Sequence, residues 1–328
     1  MSFKAFWKGL LEKIFGGPGE VIKPEEKSVE TTPEPKPEPI VEEKLIEKIP
    51  EPEADPEPVE EVPESNPESK GDSPIKPEIL EETMYPAGIK DYEKQFDTTH
   101  KDSDGVKYTV TRNTDYTFPL SILKPKGITD YYYTEEHEKT AIVLHFTVGY
   151  LTGDLATLIE QSSHMSVPYV IGRNGTVYQL FDPKYWAYHL GRGTVGGNTV
   201  NSKRTIAIEL SNIGPLSRDN AKELSSIYGS RYCDIVEKDY YTKLQTTYRK
   251  YSYYATFTDK QYETLSQLIS YLCGKFNIPK RLIAEDQRYN IFNSAEEATS
   301  FKGICSHVNF RAYGKVDIGP AFKWSCIS

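Results

Sequence analysis

Apolar residues recur with helical spacing at the start of the chain. Phe3, Phe6, Trp7, Leu10, Leu11, Ile14 and Phe15 share one face, and Lys4, Lys8, Glu12 and Lys13 fill the other. This i, i+3, i+4, i+7 pattern predicts an amphipathic helix over residues 2–15, stopped by Gly16-Gly17-Pro18-Gly19. At ~1.5 Å per residue it is roughly 20 Å long, too short to cross a bilayer. Residues 1–17 read either as a docking helix for a membrane surface or a partner's groove, or as a helix folded back on its own domain. Periodicity then lapses and returns from about residue 85. Ala141-Ile142-Val143-Leu144 predicts a buried strand ending at His145, and Leu155, Leu158 and Ile159 predict a helix over 154–161. Tyr169–Gln179 reads as strand, turn, strand around Asn174-Gly175, and Thr205–Leu210 as a further strand. Thr258-Asp259 caps a helix with Tyr262, Leu265, Leu268, Ile269, Leu272 and Phe276 on one face. Segment 215–256 is Tyr-rich and polar and reads as an insertion. Strands alternating with helices predict the α/β class, with a mixed central β-sheet flanked by helices.

Composition divides the chain. Residues 21–80 hold 7 Lys against 18 acidic residues and 13 of the 22 prolines, whereas residues 81–328 hold 29 basic and 28 acidic groups. The net charge of −9 is therefore local to the Pro/Glu/Lys-rich stretch. Such a stretch cannot bury enough apolar surface to offset chain ordering, so residues 18–82 are expected to be a disordered linker. At ~3.1 Å per residue it would serve as a spacer; the alternative is a degenerate tail. Residues 83–328, which hold all 24 tyrosines but no concentrated basic face, form the expected working domain, and nucleic acid is excluded as a partner. No run of ~18 apolar residues occurs, and the N-terminus lacks the apolar stretch and cleavage site of a secretory signal. Synthesis in the cytoplasm is expected. Cys233, Cys273, Cys305 and Cys326 are too sparse for a disulfide scaffold and are expected to be free thiols.

Candidate chemistry concentrates on few residues. His100 and His137 lie in polar sequence and read as surface. His145 ends an apolar strand, where a polar group needs a partner. His307 lies in Gly303-Ile304-Cys305-Ser306-His307, ten residues before Asp317. Two His and one carboxylate with an open fourth position are the composition of a catalytic zinc site, in which a bound water becomes a nucleophile near pH ~7. Glu209 sits mid-strand, opposite in direction to Ile206, Ile208 and Leu210, so it faces either solvent or a site. Lys315, two residues before Asp317, would lie near the metal and could stabilise an oxyanion. Cys305 could approach the metal but reads better as a buried thiol.

These residues occur in five segments that together resemble a known family. Val143-Leu144-His145-Phe146-Thr147, Tyr169–Gly175, Ala187-Tyr188-His189-Leu190-Gly191, Ile206–Leu210 and Lys315–Phe322 follow the order of the type 2 N-acetylmuramoyl-L-alanine amidases. That superfamily includes peptidoglycan recognition proteins and phage amidase-type lysozymes. The resemblance covers about residues 115–325. It implies a zinc hydrolase that cuts the amide between N-acetylmuramic acid and L-alanine of the stem peptide. It implies His145, His307 and Asp317 as Zn2+ ligands, Glu209 and Lys315 as catalytic residues, and His189, with Tyr188 and Trp186, at the substrate. Three departures stand out: Tyr188 where a Trp is common, Pro168 where many members have His, and Ile318 where Asp-Pro-Gly is usual. His164 is out of register and reads as a loop histidine.

The implied partner is peptidoglycan. The alternatives are a non-catalytic peptidoglycan-binding module, or a structural or cargo component of a phage or injection particle. The N-terminal arm suggests a lysin tethered to a membrane, particle or partner and acting on the cell wall.

Overall fold

The apolar run at residues 141–144 has no polar side because it becomes a strand covered on both faces. In the computed structural model, which describes residues 88–93 and 108–328, β3 (Ala141–Phe146) is buried along its whole length. The predicted docking helix, the linker and His100 lie outside the described residues. The remaining central strands are β1 (Tyr108–Asn113), β2 (Leu120–Pro125), β4 (Tyr169–Ile171), β5 (Val177–Gln179), β6 (Thr205–Leu210) and β12 (Gly303–Ser306). They form a seven-stranded sheet in the order β1-β2-β5-β4-β6-β3-β12. β4, β6, β3 and β12 run parallel, while β5 turns back against β4 and β1 against β2. The sheet is mixed, as expected. Parallel strands buried on both faces read as continuous apolar runs, which is the pattern of Ile142–Leu144 and Ile206–Ile208.

The β4–β5 hairpin forms where Asn174-Gly175 predicted it. Gly175 takes φ 84°, and the Asn174 side chain accepts from Thr176 N–H at 3.0 Å. The helix predicted at 154–161 instead spans Leu151–Leu158 (α2, after α1, Ile89–Glu93). It starts earlier because Tyr150 is its N-cap and Leu151 already packs inward.

A short helix, α3 (Asn198–Arg204), leads directly into β6. The long helix α4 (Asp259–Phe276) opens with a capping box between Thr258 and Gln261. Its apolar stripe, Leu265, Leu268, Ile269 and Leu272, covers the sheet face that carries Ile142, Leu144, Ile206 and Ile208. On the opposite side Leu151, Leu155 and Leu158 of α2 pack with Val170 and Ala207.

Segment 215–256 is more than a polar insertion. It forms a second, antiparallel sheet in the order β10-β11-β7-β8-β9, from β7 (Pro215–Ser217), β8 (Glu223–Ser226), β9 (Arg231–Asp234), β10 (Tyr241–Tyr248) and β11 (Tyr251–Ala255). Leu216, Leu224, Tyr232 and Tyr253 join the core on the α2 side. The short strands, tyrosines and frequent polar residues hid this sheet from a periodicity reading. After α4 come α5 (Ala295–Ser300) and β12. All four cysteines are free, Cys326 exposed and the others buried. No helix among the described residues is long and apolar enough to cross a membrane.

Gln261 ties these layers together. Fully buried, its amide nitrogen donates to the carbonyls of Ile171 (3.2 Å) and Ser211 (3.1 Å), and its oxygen accepts from Thr258 N–H (3.1 Å). Gln261→Ala removes three hydrogen bonds and strands buried carbonyls, so urea denaturation should show a loss of about 3 kcal/mol.

Candidate metal centre and active site

Parallel register sets the site. β3 pairs with β6 so that His145 lies beside Glu209, and with β12 so that Leu144 lies beside Ser306. Partners in register on parallel strands leave the sheet on the same side, so His145 and Glu209 project together. β12 stops at Ser306, whose side chain and that of Asn309 cap a 3₁₀ turn, His307–Asn309. His307 therefore leaves the strand direction and swings toward His145. Asp317 returns from the following loop, and Val308 N–H donates to its carbonyl at 3.0 Å.

The three side chains converge. His307 Nδ1 is 2.9 Å from His145 Nδ1 and 3.0 Å from Asp317 Oδ2, and His145 Nδ1 is 3.1 Å from the same oxygen. All three residues are buried.

The surrounding hydrogen bonds fix where the ring protons sit. The Thr205 hydroxyl donates to Asn201 O at 2.6 Å, so it accepts from His189 Nε2 at 2.8 Å. His189 Nδ1 then accepts from His145 Nε2–H at 3.1 Å. His307 Nε2–H donates to Leu190 O at 2.9 Å. Both Nδ1 atoms are left with bare lone pairs facing each other and a carboxylate oxygen. Such a set repels itself unless a cation lies within it. The edges of a tetrahedron with ~2.0 Å metal–ligand bonds are ~3.3 Å, close to the separations found. Imidazole nitrogens with one carboxylate suit zinc, so the residues present fit that ion.

Electrostatics agree with this protonation pattern. Burial pushes His307 down to about 3 and lowers His145 and His189, so the rings stay neutral. Burial works against ionisation of Asp317, but its carboxyl lies well below the usual carboxylate range, with the Lys315 ammonium favouring the charged form. Lys315 is buried and lowered to about 8, mainly by desolvation, and remains mostly protonated at neutral pH. Glu209 is buried, and its Oε2 has no hydrogen-bond partner among the described residues. Desolvation, then Asp317 and Asp154, push it well above the ordinary value.

Several expectations change. His189 is buried against His145, with both ring nitrogens committed. Trp186 is also buried, stacked on Tyr133 at 4.2 Å with Lys203 Nζ 5.0 Å from its ring centroid and its indole N–H donated to Glu135. Of the three residues placed at the substrate, Tyr188 alone keeps partial exposure. His164 pairs with Asp130 at 2.8 Å, as suits a loop histidine, and His137 pairs with Glu135 at 3.0 Å. The Cys305 thiol is fully buried against Ile142 O, 3.8 Å away, and burial raises its pKa further.

Asp154 was missed. It is buried on α2, accepts from Ser211 Oγ at 2.9 Å, and adds to the field that raises Glu209. The signal was present, because Asp154 shares the buried helix face with Leu151, Leu155 and Leu158.

A family model for N-acetylmuramoyl-L-alanine amidase matches residues 136–312, more than half of the chain. The chain belongs to the N-acetylmuramoyl-L-alanine amidase family. The match contains His145, Glu209 and His307 and ends before Lys315 and Asp317; Asp317 joins the site by its contacts with both histidines, and Lys315 by its electrostatic interaction with Asp317 and Glu209. Similar solved structures include the Escherichia coli amidase AmiD, in complex with an anhydro-N-acetylmuramic acid peptide. It has 18% identity and a TM-score of 0.37, covering 66% of this chain and 64% of that one. LysC of Clostridium intestinale has 15% identity, coverages of 61% and 91%, and a TM-score of 0.33. AmpDh3 of Pseudomonas aeruginosa has 14% identity, coverages of 59% and 60%, and a TM-score of 0.36. The chain thus spans less than two thirds of the AmiD and AmpDh3 chains it matches. No curated protein matches the sequence.

Two outcomes follow for this amidase-family chain. His189→Ala frees the Nε2 proton of His145 from its acceptor, and zinc affinity, measured by competition with a chromophoric chelator, should fall about tenfold or more. Asp154 is raised from 3.8 to about 7, chiefly by burial. Between those values the folded state keeps a proton that the unfolded state has lost, so its contribution to stability falls as pH rises through that window. Asp154→Asn should therefore show a Tm advantage over the parent that grows between pH 4 and pH 8.

Proposed function

We propose that this protein is a zinc-dependent peptidoglycan hydrolase that cleaves the amide between N-acetylmuramic acid and L-alanine of the stem peptide. The observation that carries the reading is the convergence of His145 Nδ1, His307 Nδ1 and Asp317 Oδ2, with a buried Glu209 oxygen that has no hydrogen-bond partner on the neighbouring strand, in a chain of this family. Zinc held by these three residues would supply Lewis acidity, making water nucleophilic near neutral pH and polarising a carbonyl.

The chain's own groups supply the rest. Glu209 has a free oxygen in a dry setting and a proton affinity raised by burial, the profile of a group that takes a proton from the attacking water and passes it to the leaving amine. Positive charge in the neighbouring cluster favours its ionised form, so the base is ready when the cluster is filled. Lys315, buried and largely protonated, offers an ammonium to the oxyanion that forms at the scissile carbonyl. His189 holds the ring of His145 and fixes its tautomer, and Leu190 O does the same for His307. Tyr188 is the residue of the substrate trio still able to meet a sugar or peptide. A binding-only module has no use for a buried carboxylate oxygen left without a hydrogen bond beside the ligand set, which favours the catalytic reading over that alternative. The work site is the cell wall, and residues 1–82 would serve to anchor and space the enzyme from a membrane, particle or partner.

Glu209→Ala and Glu209→Gln should each retain zinc and fold while lowering kcat on purified muropeptide by about 10²–10⁴-fold. Cleavage at the parent's rate in both variants would remove Glu209 from the mechanism.

A further inference from the structure

The segment that carries Lys315 and Asp317 is held at both ends by the second sheet. At its entry, Ala312 O accepts a hydrogen bond from Arg249 Nη1. At its exit, Gly319 lies beneath two rings: a Cβ placed there would be 3.3 Å from Tyr254 Cε1 and 3.5 Å from Tyr248 Cδ1. Arg249, Tyr248 and Tyr254 all belong to the β10–β11 hairpin, in which Tyr248 pairs with Tyr251 across a two-residue turn of Arg249 and Lys250.

The tip is internally braced. Arg249 Nε donates to Tyr248 Oη at 3.2 Å, and its guanidinium lies 5.5 Å from the Tyr248 ring centroid. The Tyr254 hydroxyl donates to Tyr248 O at 2.9 Å. The Tyr248 ring also meets Tyr289 edge-on, with centroids 5.7 Å apart.

The turn itself points to a use. Arg249 and Lys250 have φ 48° and 78°. Two-residue hairpins with both positions left-handed strongly prefer Asn-Gly, because other side chains are disfavoured there. A turn that gives up local fit for an arginine is a sign that the arginine's contact serves something else. What it contacts is the loop between two members of the metal cluster.

We propose that the β10–β11 hairpin is a clamp on the loop 311–319, with Arg249 a positioning residue that holds Lys315 and Asp317 in register with His145, His307 and Glu209. The inference rests on the amidase reading above. It assigns the second sheet a task in the reaction: setting the third metal ligand and the oxyanion-stabilising ammonium from outside the strands that carry the rest of the site.

The test exploits the turn. Arg249→Asn combined with Lys250→Gly, made in the full chain, installs the residues the turn prefers while deleting the latch. The hairpin should be at least as stable, with Tm unchanged or raised. Amide hydrogen exchange in metal-free protein should accelerate within 311–319 and stay unchanged in α4. In zinc-loaded protein, zinc release to a chelator should be about tenfold faster, and kcat on muropeptide should fall with KM held. Exchange in 311–319 equal to the parent's would overturn the clamp, as would a Tm loss that accompanies the other changes and so assigns them to hairpin unfolding. Accelerated exchange in 311–319, together with a zinc-loaded parent that leaves muropeptide intact, would keep the clamp and overturn the amidase reading instead.

Discussion

Two imidazole nitrogens and a carboxylate oxygen are held within 3.1 Å of one another with no proton between the rings. This mutual repulsion is the constraint around which the rest is arranged. It persists because each ring has its other nitrogen fixed from behind. His189 and Thr205 hold His145, and Leu190 O holds His307. Burial then keeps both rings neutral and so available as ligands rather than as cations. The same dry setting that makes the cluster costly gives Glu209 and Lys315 their altered proton affinities. The three clustered side chains, Glu209 and Lys315 form one electrostatic unit, and a change in any member shifts the others.

The central sheet was legible in the sequence where its chemistry was unambiguous. Ala141–Leu144 and Ile206–Ile208 are β-branched or apolar throughout, and Asn174-Gly175 marks a turn that few other residues can make. Thr258-Asp259 announced the start of α4, and the structure completes the cap reciprocally with Gln261. The second sheet was not legible, because strands of three to eight residues rich in tyrosine, serine and threonine show neither a helical nor a clean two-residue period. Its apolar contribution, as at Leu216, Leu224 and Tyr232, emerges when the strands pair.

The cluster of His145, His307 and Asp317 was legible for a related reason. His145 ends a strand that has no other use for a polar group, and His307 and Asp317 are close enough in sequence to be considered together. Glu209 was conspicuous as a carboxylate inside a strand. The roles around the cluster were harder to see. His189 and Trp186 have the chemistry of sugar-binding residues, and nothing in their local sequence shows that neighbours already occupy their nitrogens and ring faces. Asp154 sits among leucines at helical spacing, but a carboxylate in the first turn of a helix also suits the helix dipole, so the sequence alone does not reveal its burial.

The parallel register of β3 with β6 and β12 has a consequence for how such a protein can diverge. Side chains alternate between faces, so inserting or deleting one residue within β3 or β6 would turn His145 or Glu209 toward α4 and abolish the cluster in one step. A substitution within these strands leaves the facing of His145 and Glu209 intact, whereas a change in their length does not. Growth and loss of sequence are channelled into the connections between them. The stretch between β6 and α4, which holds a whole extra sheet in this chain, is where inherited variation in length has room to accumulate.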